Sequence, residues 1–281
     1  GGTNIKTDNR KFNAKVPNIL VATPGRLNDH LQNGNAKAML SSLQVLILDE
    51  ADRLLDMGFR PEITKILSYL PPVSRRQTLL FSATFPDDVR ALSELALKKK
   101  HQLIDTIGDN ASETNRIVEQ TYILTPLEEQ FAELYNAVQA HRQADKDHKI
   151  MVFFTTARQT QFASELFNLL GVPTLEMHSR KSQGHRTKVA DKFRTSSGLV
   201  MFSSDVSARG LDYADVSFVI QVGVASDRAQ YVHRIGRTAR AGKGGRGLLI
   251  LADFERYFIQ MLKGLPLKPE KNVLRNNKSQ F

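Results

Sequence analysis

Cysteine is absent from this sequence. That excludes disulfides, internal or shared with a partner, and Cys-ligated zinc. The seven histidines show no HExxH spacing, so a helix-borne zinc site of that kind is not expected. No apolar run approaches the length that crosses a bilayer, and no membrane partner is expected. The glycine-rich phosphate loop GxxxxGK(S/T) occurs nowhere. There is no internal repeat of short period and no low-complexity tract. No signal or transit peptide is visible, and because the chain begins Gly1-Gly2 without an initiator Met, this says nothing about compartment.

What is present is an excess of positive charge. Lys and Arg number 39 against 29 Asp and Glu in 281 residues, a formal charge of +10. Such a surplus favours polyanionic partners, nucleic acid first, although a basic protein without such a partner would have the same composition. The length suits about two domains.

Short apolar runs alternate with longer amphipathic ones. Strands are expected at 18–22, 44–48, 78–81, 102–105, 119–124, 149–154, 174–177, 199–203, 217–222 and 247–251. Helices are expected at 86–97, 127–142, 159–170 and 183–193. Strands apolar on both faces and alternating with helices imply an α/β fold, with parallel sheets covered on both sides. Residues 108–116 (GDNASETNR) lack apolar periodicity and read as a linker. The organisation expected is a first domain over 1–107, a connection 108–118, a second α/β domain over 119–262 and a basic tail 263–281. The tail carries Pro266 and Pro269 and is expected on the surface or disordered. The first domain offers few strands before its acidic motif, so it reads as incomplete and unstable in isolation.

That acidic motif ends the run LILDEAD, residues 46–52. Asp49 and Glu50 directly follow an apolar strand, the position of a Walker B pair. One carboxylate there holds Mg²⁺ through water, and the next orients or deprotonates the attacking water. Open α/β sheets bind ligands at the carboxyl edge of their strands. A helix N-terminus with acidic capping would look the same over two residues. Residues 242–247 (GKGGRG) invite a nucleotide-loop reading, but Gly244 follows the Lys where Ser or Thr is needed. They read as a loop between a helix and an edge strand.

The longer pattern resembles the DEAD-box RNA helicases of superfamily 2 over nearly the whole chain. Asp49-Glu50-Ala51-Asp52 resembles the motif that names the family. Thr23-Pro24-Gly25-Arg26 resembles the motif that grips RNA in the first domain, and Gly1-Gly2 resembles the family's glycine doublet. Ser82-Ala83-Thr84 resembles the motif that links ATP hydrolysis to strand separation. His178 with Gln183 and Arg186 resembles the H…QxxR region of the second domain. Residues 204–212 (SDVSARGLD) resemble motif V and 233–240 (HRIGRTAR) motif VI. Ser179 and Ala239 stand where the family more often has Gly. The segments 178–181 (HSRK) and 203–213 (SSDVSARGLDY) are most similar to the organellar branch, found in fungal mitochondria and in plants.

The resemblance implies two RecA-like domains, the first incomplete, and an ATP-dependent RNA helicase that uses ATP and Mg²⁺ and contacts the RNA backbone. It implies that Asp49 holds Mg²⁺ through water and that Glu50 is catalytic. Asp52, Gly210 and Asp212 would serve the nucleotide, Asp212 at the ribose. His233 would help join the acidic motif to the second domain. Arg237 and Arg240 would act as arginine fingers, and their spacing of three would set them on one helix face. RNA would be held by Gly1, Gly2, Thr23, Pro24, Gly25, Arg26, Gln183, Arg186, Ser204 and Asp205. Thr23 and Gly25 open an expected helix whose N–H groups suit phosphate. Ser82, Ala83 and Thr84 would couple the two activities. ATP would close a cleft between the domains, and closure would bend RNA and separate a short duplex.

In the family the phosphate loop, the adenine-reading glutamine motif and the first RNA-contacting motif all belong before residue 1. The sequence is therefore expected to begin partway through the first domain and to hold ATP weakly. A mitochondrial location is implied, with nuclear or cytoplasmic as alternatives. Two other readings stand beside the enzyme: a non-catalytic RNA-binding fragment, and a protein-interaction scaffold. The scaffold has no need of Glu50, Arg237 and Arg240.

Overall fold

The computed structural model describes residues 7, 8, 10, 17–34, 36–105, 118–205, 213–239 and 244–270. The chain divides into two units, Gly1–Ile104 and Asp105–Phe281. The expected linker and the end of the basic tail, 271–281, lie outside the described residues.

In the first unit the chain runs through α1 (Pro24–Asn33), α2 (Ala36–Leu40), β1 (Val45–Leu48), α3 (Ala51–Asp56), α4 (Arg60–Tyr69), β2 (Gln77–Leu80) and α5 (Asp87–Ala96). Pro24 and Pro61 sit in the first turns of α1 and α4, where a missing N–H breaks no helical bond. Asp87 and Asp88 occupy the first turn of α5, the favourable end of the helix dipole for acid. β1 and β2 pair in parallel, Leu48 opposite Leu80. Leu48, Ala51, Ile63, Val89, Leu92 and Ala96 form one core around this pair, while Leu31, Ala36, Ile66 and Leu70 join α1 and α2 to α4. Two expected strands do not form. Residues 18–22 and 102–105 hold short apolar runs, but no neighbouring strand pairs with them among the described residues. A strand exists only through its ladder, and Ile19, Val21, Leu103 and Ile104 are accordingly exposed.

The second unit contains β3 (Val118–Thr125), α6 (Gln130–Ala144), β4 (Lys149–Phe154), α7 (Ala157–Leu169), β5 (Thr174–Met177), α8 (Gln183–Thr195), β6 (Leu199–Ser203), β7 (Phe218–Val222), α9 (Arg228–Ile235), β8 (Gly245–Ala252), α10 (Tyr257–Met261) and β9 (Leu267–Pro269). Its sheet has the order β5-β6-β4-β7-β8-β3-β9, and every pairing is parallel. β4 shows why. All six of its residues are buried. Ile150, Val152 and Phe154 point to one core with Leu134 and Val138 of α6 and Phe167 of α7. Met151 and Phe153 point to the opposite core with Phe193 of α8, Tyr231 and Ile235 of α9 and Phe258 of α10. A strand that alternates between two buried faces has to be continuously apolar.

Two expectations are corrected in this unit. The tail forms structure up to Glu270: β9 pairs Leu267 with Gln120 and Pro269 with Tyr122, and the Glu270 carboxylate bonds Arg246 Nη2 at 2.6 Å. Leu262 and Leu265 are buried beneath it. The prolines that suggested a loose tail are compatible with an edge strand, which β9 is. The strand after the glycine run, by contrast, is not at the edge; β8 lies between β7 and β3. The glycines there serve packing. A Cβ on Gly245 would stand 2.2 Å from Thr238 Oγ1 and 2.8 Å from the Ala239 nitrogen.

Gly245→Ala is therefore expected to destabilise the second unit by about 2 kcal/mol, read as a lower midpoint in denaturant. A second prediction concerns acid. Burial depresses the pKa of His141, aided by the Arg246 and His148 charges and opposed by Asp145. Its Nε2 lies 2.9 Å from Ser217 Oγ. The unfolded chain thus binds this proton more readily, and stability falls as pH drops below the ordinary histidine value of about 6.5. His141→Gln should flatten that part of the stability–pH curve, measured between pH 7.5 and 5.

Candidate functional site

In the first unit the strand ends converge on the acidic motif. Phe81 N donates to Leu48 O at 2.8 Å and Ala51 N to Phe81 O at 2.9 Å, so the segments after β1 and β2 run side by side. Asp49 is exposed, and its Oδ1 accepts from Glu50 N at 3.0 Å. Glu50 has φ 50 and ψ 53, left-handed values that a residue with a Cβ rarely adopts. Such conformations persist where the surroundings enforce them, and they cluster at functional sites.

Asp52 does something different from its neighbours. It is 3% exposed. Its Oδ2 accepts from Thr84 Oγ1 at 3.1 Å, its Oδ1 accepts from Arg53 N at 2.8 Å, and its own N donates to Ser82 Oγ at 3.2 Å. The expected nucleotide role for Asp52 is thereby corrected: its carboxylate is turned inward onto Thr84 Oγ1 and Arg53 N. Asp49 and Glu50 are left at the mouth of β1.

Thr23 is the N-cap of α1, with φ −82 and ψ 150, and its hydroxyl makes no capping bond. First-turn N–H groups have no partner within a helix, so this end suits an anion. Arg26 stands beside it and pairs with Asp8 at 3.2 Å.

In the second unit the strand ends again converge. Ser204 N and Ser203 Oγ both donate to Met177 O, each at 3.1 Å. This sets the start of the 204–212 segment beside His178. The His178 ring is buried: Nδ1 accepts from Arg180 N at 3.2 Å, which leaves Nε2 to donate to Glu176 Oε1. Lys181 Nζ holds the other Glu176 oxygen at 2.9 Å. Ser182 caps α8 by accepting from His185 N. Gln183 is exposed in the first turn, and Arg186 follows one turn later with a buried Nε that has no partner among the described residues.

Asp205 was expected on RNA. Its Oδ1 instead accepts from Arg234 Nε at 2.7 Å and from Gln230 Nε2 at 2.6 Å. Arg234 is 1% exposed, lies over the Phe153 ring at 5.6 Å and donates from Nη1 to Gln221 Oε1 at 3.3 Å. Gln221 Nε2 donates to Tyr231 O, and Tyr231 Oη donates to Gln120 Oε1 at 3.0 Å. Burial raises the Tyr231 pKa, so the phenol stays a donor. Sequence reasoning missed Arg234, Gln230, Gln221 and Gln120 as a group. The available signal was a lone glutamine inside the apolar strand FVIQV.

The helix expected to carry both arginine fingers ends early. α9 stops at Ile235 with Gly236 as its cap, so Arg237 sits in the following turn. There its N donates to Arg234 O at 3.1 Å and its Nε to His233 O at 3.3 Å. Ala239 closes that turn with φ 55. Gly1, Gly2, Gly210, Asp212 and Arg240 lie outside the described residues.

No group of three or more His, Asp or Glu side chains that could hold a metal occurs among the described residues. Mg²⁺ is commonly held by one or two carboxylates, water and substrate phosphates, and Asp49, exposed at the end of β1, is a carboxylate that fits that use. No described helix is long and apolar enough to cross a membrane.

Thr84→Val removes one donor from the buried Asp52 carboxylate. It should destabilise the first unit by about 1–3 kcal/mol, measured by denaturant titration, while Ser82→Ala at the neighbouring, weaker contact should cost less.

Comparison with known proteins gives concordant matches. The family described as DEAD/DEAH box helicase matches residues 1–92, and Helicase conserved C-terminal domain matches 129–242. DEAD-box ATP-dependent RNA helicase 25 of Oryza sativa subsp. japonica is 50% identical over 268 residues, which are 95% of this chain and 45% of that protein. The same organism's DEAD-box ATP-dependent RNA helicase 26 is 50% identical over 266 residues, 94% of this chain and 49% of that protein. The chain spans about half the length of these curated relatives. Among solved structures, Mss116p (NTE and C-tail double deletion) bound to ssRNA and AMP-PNP superposes with a TM-score of 0.87 at 31% identity, covering 99% of this chain and 58% of that one. A DEAD box protein from the hyperthermophile Methanococcus jannaschii gives a TM-score of 0.50 at 31% identity, covering 96% and 70%.

Proposed function

We propose a function that proceeds from one premise: the chain belongs to the DEAD-box helicase family. It is part of an RNA-dependent ATPase that couples ATP hydrolysis to binding RNA and opening short duplexes. The observation that carries this reading is the Asp52 clasp. It ties the acidic motif to Ser82 and Thr84 and leaves Asp49 exposed, with Glu50 beside it, at the end of β1.

Each group then has a role its surroundings permit. Glu50 orients the attacking water and accepts its proton. Asp49 would hold Mg²⁺ through water; when bound, the ion neutralises charge on the nucleotide phosphates. Arg237, fixed by two backbone bonds, serves a nucleotide phosphate as an arginine finger together with Arg240. The α1 N-terminus with Thr23, Gly25 and Arg26 takes an RNA phosphate, and Gln183, Arg186 and Ser204 take others. Arg186 is suited to this, since its buried Nε lacks a partner among the described residues and an anion would supply one. Contacts to phosphate and ribose position RNA without reading its sequence. Ser82 and Thr84 transmit between the two ligands through Asp52. Asp205 acts on RNA at one remove, by holding Arg234. An organellar, mitochondrial setting completes the proposal, on the resemblance at 178–181 and 203–213; imaging the tagged protein only in nucleus or cytoplasm would remove that part.

A second reading rests on a sequence fact. The chain contains no GxxxxGK(S/T), so it has no phosphate-cradling Lys of that kind, and each charge-assisted bond to phosphate is worth about 1.5–3 kcal/mol. On that reading the chain as it stands is an RNA-binding module without turnover. RNA-stimulated ATP hydrolysis beside Glu50→Gln, with RNA affinity measured in parallel, separates the two. The enzyme reading predicts hydrolysis that Glu50→Gln lowers at least ~10²-fold while RNA affinity is unchanged. RNA binding that weakens with salt, with hydrolysis in neither form, selects the module.

A further inference from the structure

The turn that leads from β5 into α8 is held by a carboxylate outside the H…QxxR pattern. Glu176 stands on β5 between Leu175 and the buried Met177. Its side chain is 15% exposed, and both of its oxygens are engaged. Oε1 accepts from Nε2 of the buried His178, and Oε2 accepts from Lys181 Nζ at 2.9 Å. The Glu176 backbone carbonyl lies 3.3 Å from Nε2 of His185, in the first turn of α8.

The contacts continue into the helix. Arg180 N donates to His178 Nδ1 at 3.2 Å and Lys181 N to His178 O at 3.1 Å, which closes the turn. Ser182 then caps α8. Its hydroxyl accepts from His185 N at 3.2 Å and its carbonyl from Arg186 N at 3.0 Å. The next residue of the strand, Met177, takes Ser204 N and Ser203 Oγ on its carbonyl. Two consecutive residues at the end of β5 therefore hold the two places in this unit assigned to RNA. Glu176 holds the start of α8, with Gln183 and Arg186, and Met177 holds Ser204.

An acid works against phosphate binding as a charge. It lowers the local positive potential and engages Lys181, a cation beside the assigned contacts. What it supplies is geometry. One carboxylate fixes two side chains of the same turn at once, through charge-assisted bonds, which are the strong ones. A guanidinium fork such as that of Arg186 grips phosphate only from the right place and orientation.

We propose that Glu176 is a positioning residue for RNA: by holding His178 and Lys181 it fixes the first turn of α8, and with it Gln183 and Arg186, relative to Ser204. The proposal rests on the RNA-binding reading above and adds the group that sets its contacts in the second unit.

The test is the affinity of fluorescein-labelled U10 RNA for the full chain across a salt series, read by anisotropy. Glu176→Gln, Arg186→Ala and the two combined are compared, with denaturant midpoints measured alongside. Glu176→Gln keeps the shape of the side chain and removes a negative charge. Charge alone would tighten binding. Positioning weakens it about tenfold, the worth of one charge-assisted contact. The slope of log K against log salt is expected to become shallower by about 0.7, as one single-strand phosphate contact is lost. In the Arg186→Ala background, Glu176→Gln is expected to change affinity by about twofold or less, because the contact it positions has already gone. Glu176→Asp keeps the charge and withdraws the carboxylate; it is expected to weaken U10 binding too, and it carries the comparison if Glu176→Gln does not fold. Binding by the Glu176 variants as tight as that of the unaltered chain, or tighter, overturns the proposal. So does an equal loss in both backgrounds, which marks a purely structural part. If the unaltered chain binds no U10, or Arg186→Ala binds as tightly as it does, the RNA-binding reading of this unit fails and the proposal with it.

Discussion

A carboxylate taken out of water has to be given donors, and the arrangement of the first unit depends on that requirement at Asp52. Its two oxygens and its backbone N–H engage Thr84, Arg53 and Ser82, residues up to 32 positions away in sequence. Removing a partner from a buried polar group costs more than the bond itself contributes, because the desolvated group is left alone. The ends of β1 and β2 are therefore fixed relative to each other by more than their four-residue ladder. Asp49 is exposed beside this cluster, and Glu50 has a backbone conformation that isolated chains avoid.

The second unit repeats the device with opposite charge. Arg234 is buried deep beneath the carboxyl edge of the sheet and is matched by Asp205, Gln221 and the face of Phe153. A single buried guanidinium thus spans β4, β7, α9 and the segment after β6. Residues expected at ligand lie close to this pair in sequence: Ser204 precedes Asp205, and His233 precedes Arg234. In each unit one buried charge, Asp52 in the first and Arg234 in the second, is matched by partners drawn from several segments.

Much of this was legible in the sequence because parallel sheets write themselves as short apolar runs. β4, β5 and β6 begin and end where 149–154, 174–177 and 199–203 do, and the α/β class follows from them. The failures have a common physical origin. Residues 18–22 and 102–105 have strand composition without a neighbour, and pairing is not a local property. β9 was hidden by Pro266 and Pro269, which are disfavoured inside sheets but acceptable at an edge. At the sites, spacing placed Arg237 on a helix that a glycine cap ends one residue earlier. The motif also gave Asp52 and Asp205 the ligand-facing role of their neighbours. Which member of an acidic motif turns inward is decided by where donors stand in three dimensions, and for Asp205 those donors are 25 and 29 residues away.

The claim that the buried Arg234 and its Asp205 partner position the residues around them is tested most directly by a double-mutant cycle on the pair, with RNA affinity as the readout and stability measured alongside. Asp205→Asn and Arg234→Met would be made singly and together. If the pair acts as one unit, either change weakens RNA binding, and the double variant binds no worse than the poorer single one. Losses that simply add, or single variants that bind RNA as the unaltered chain does, would contradict the account.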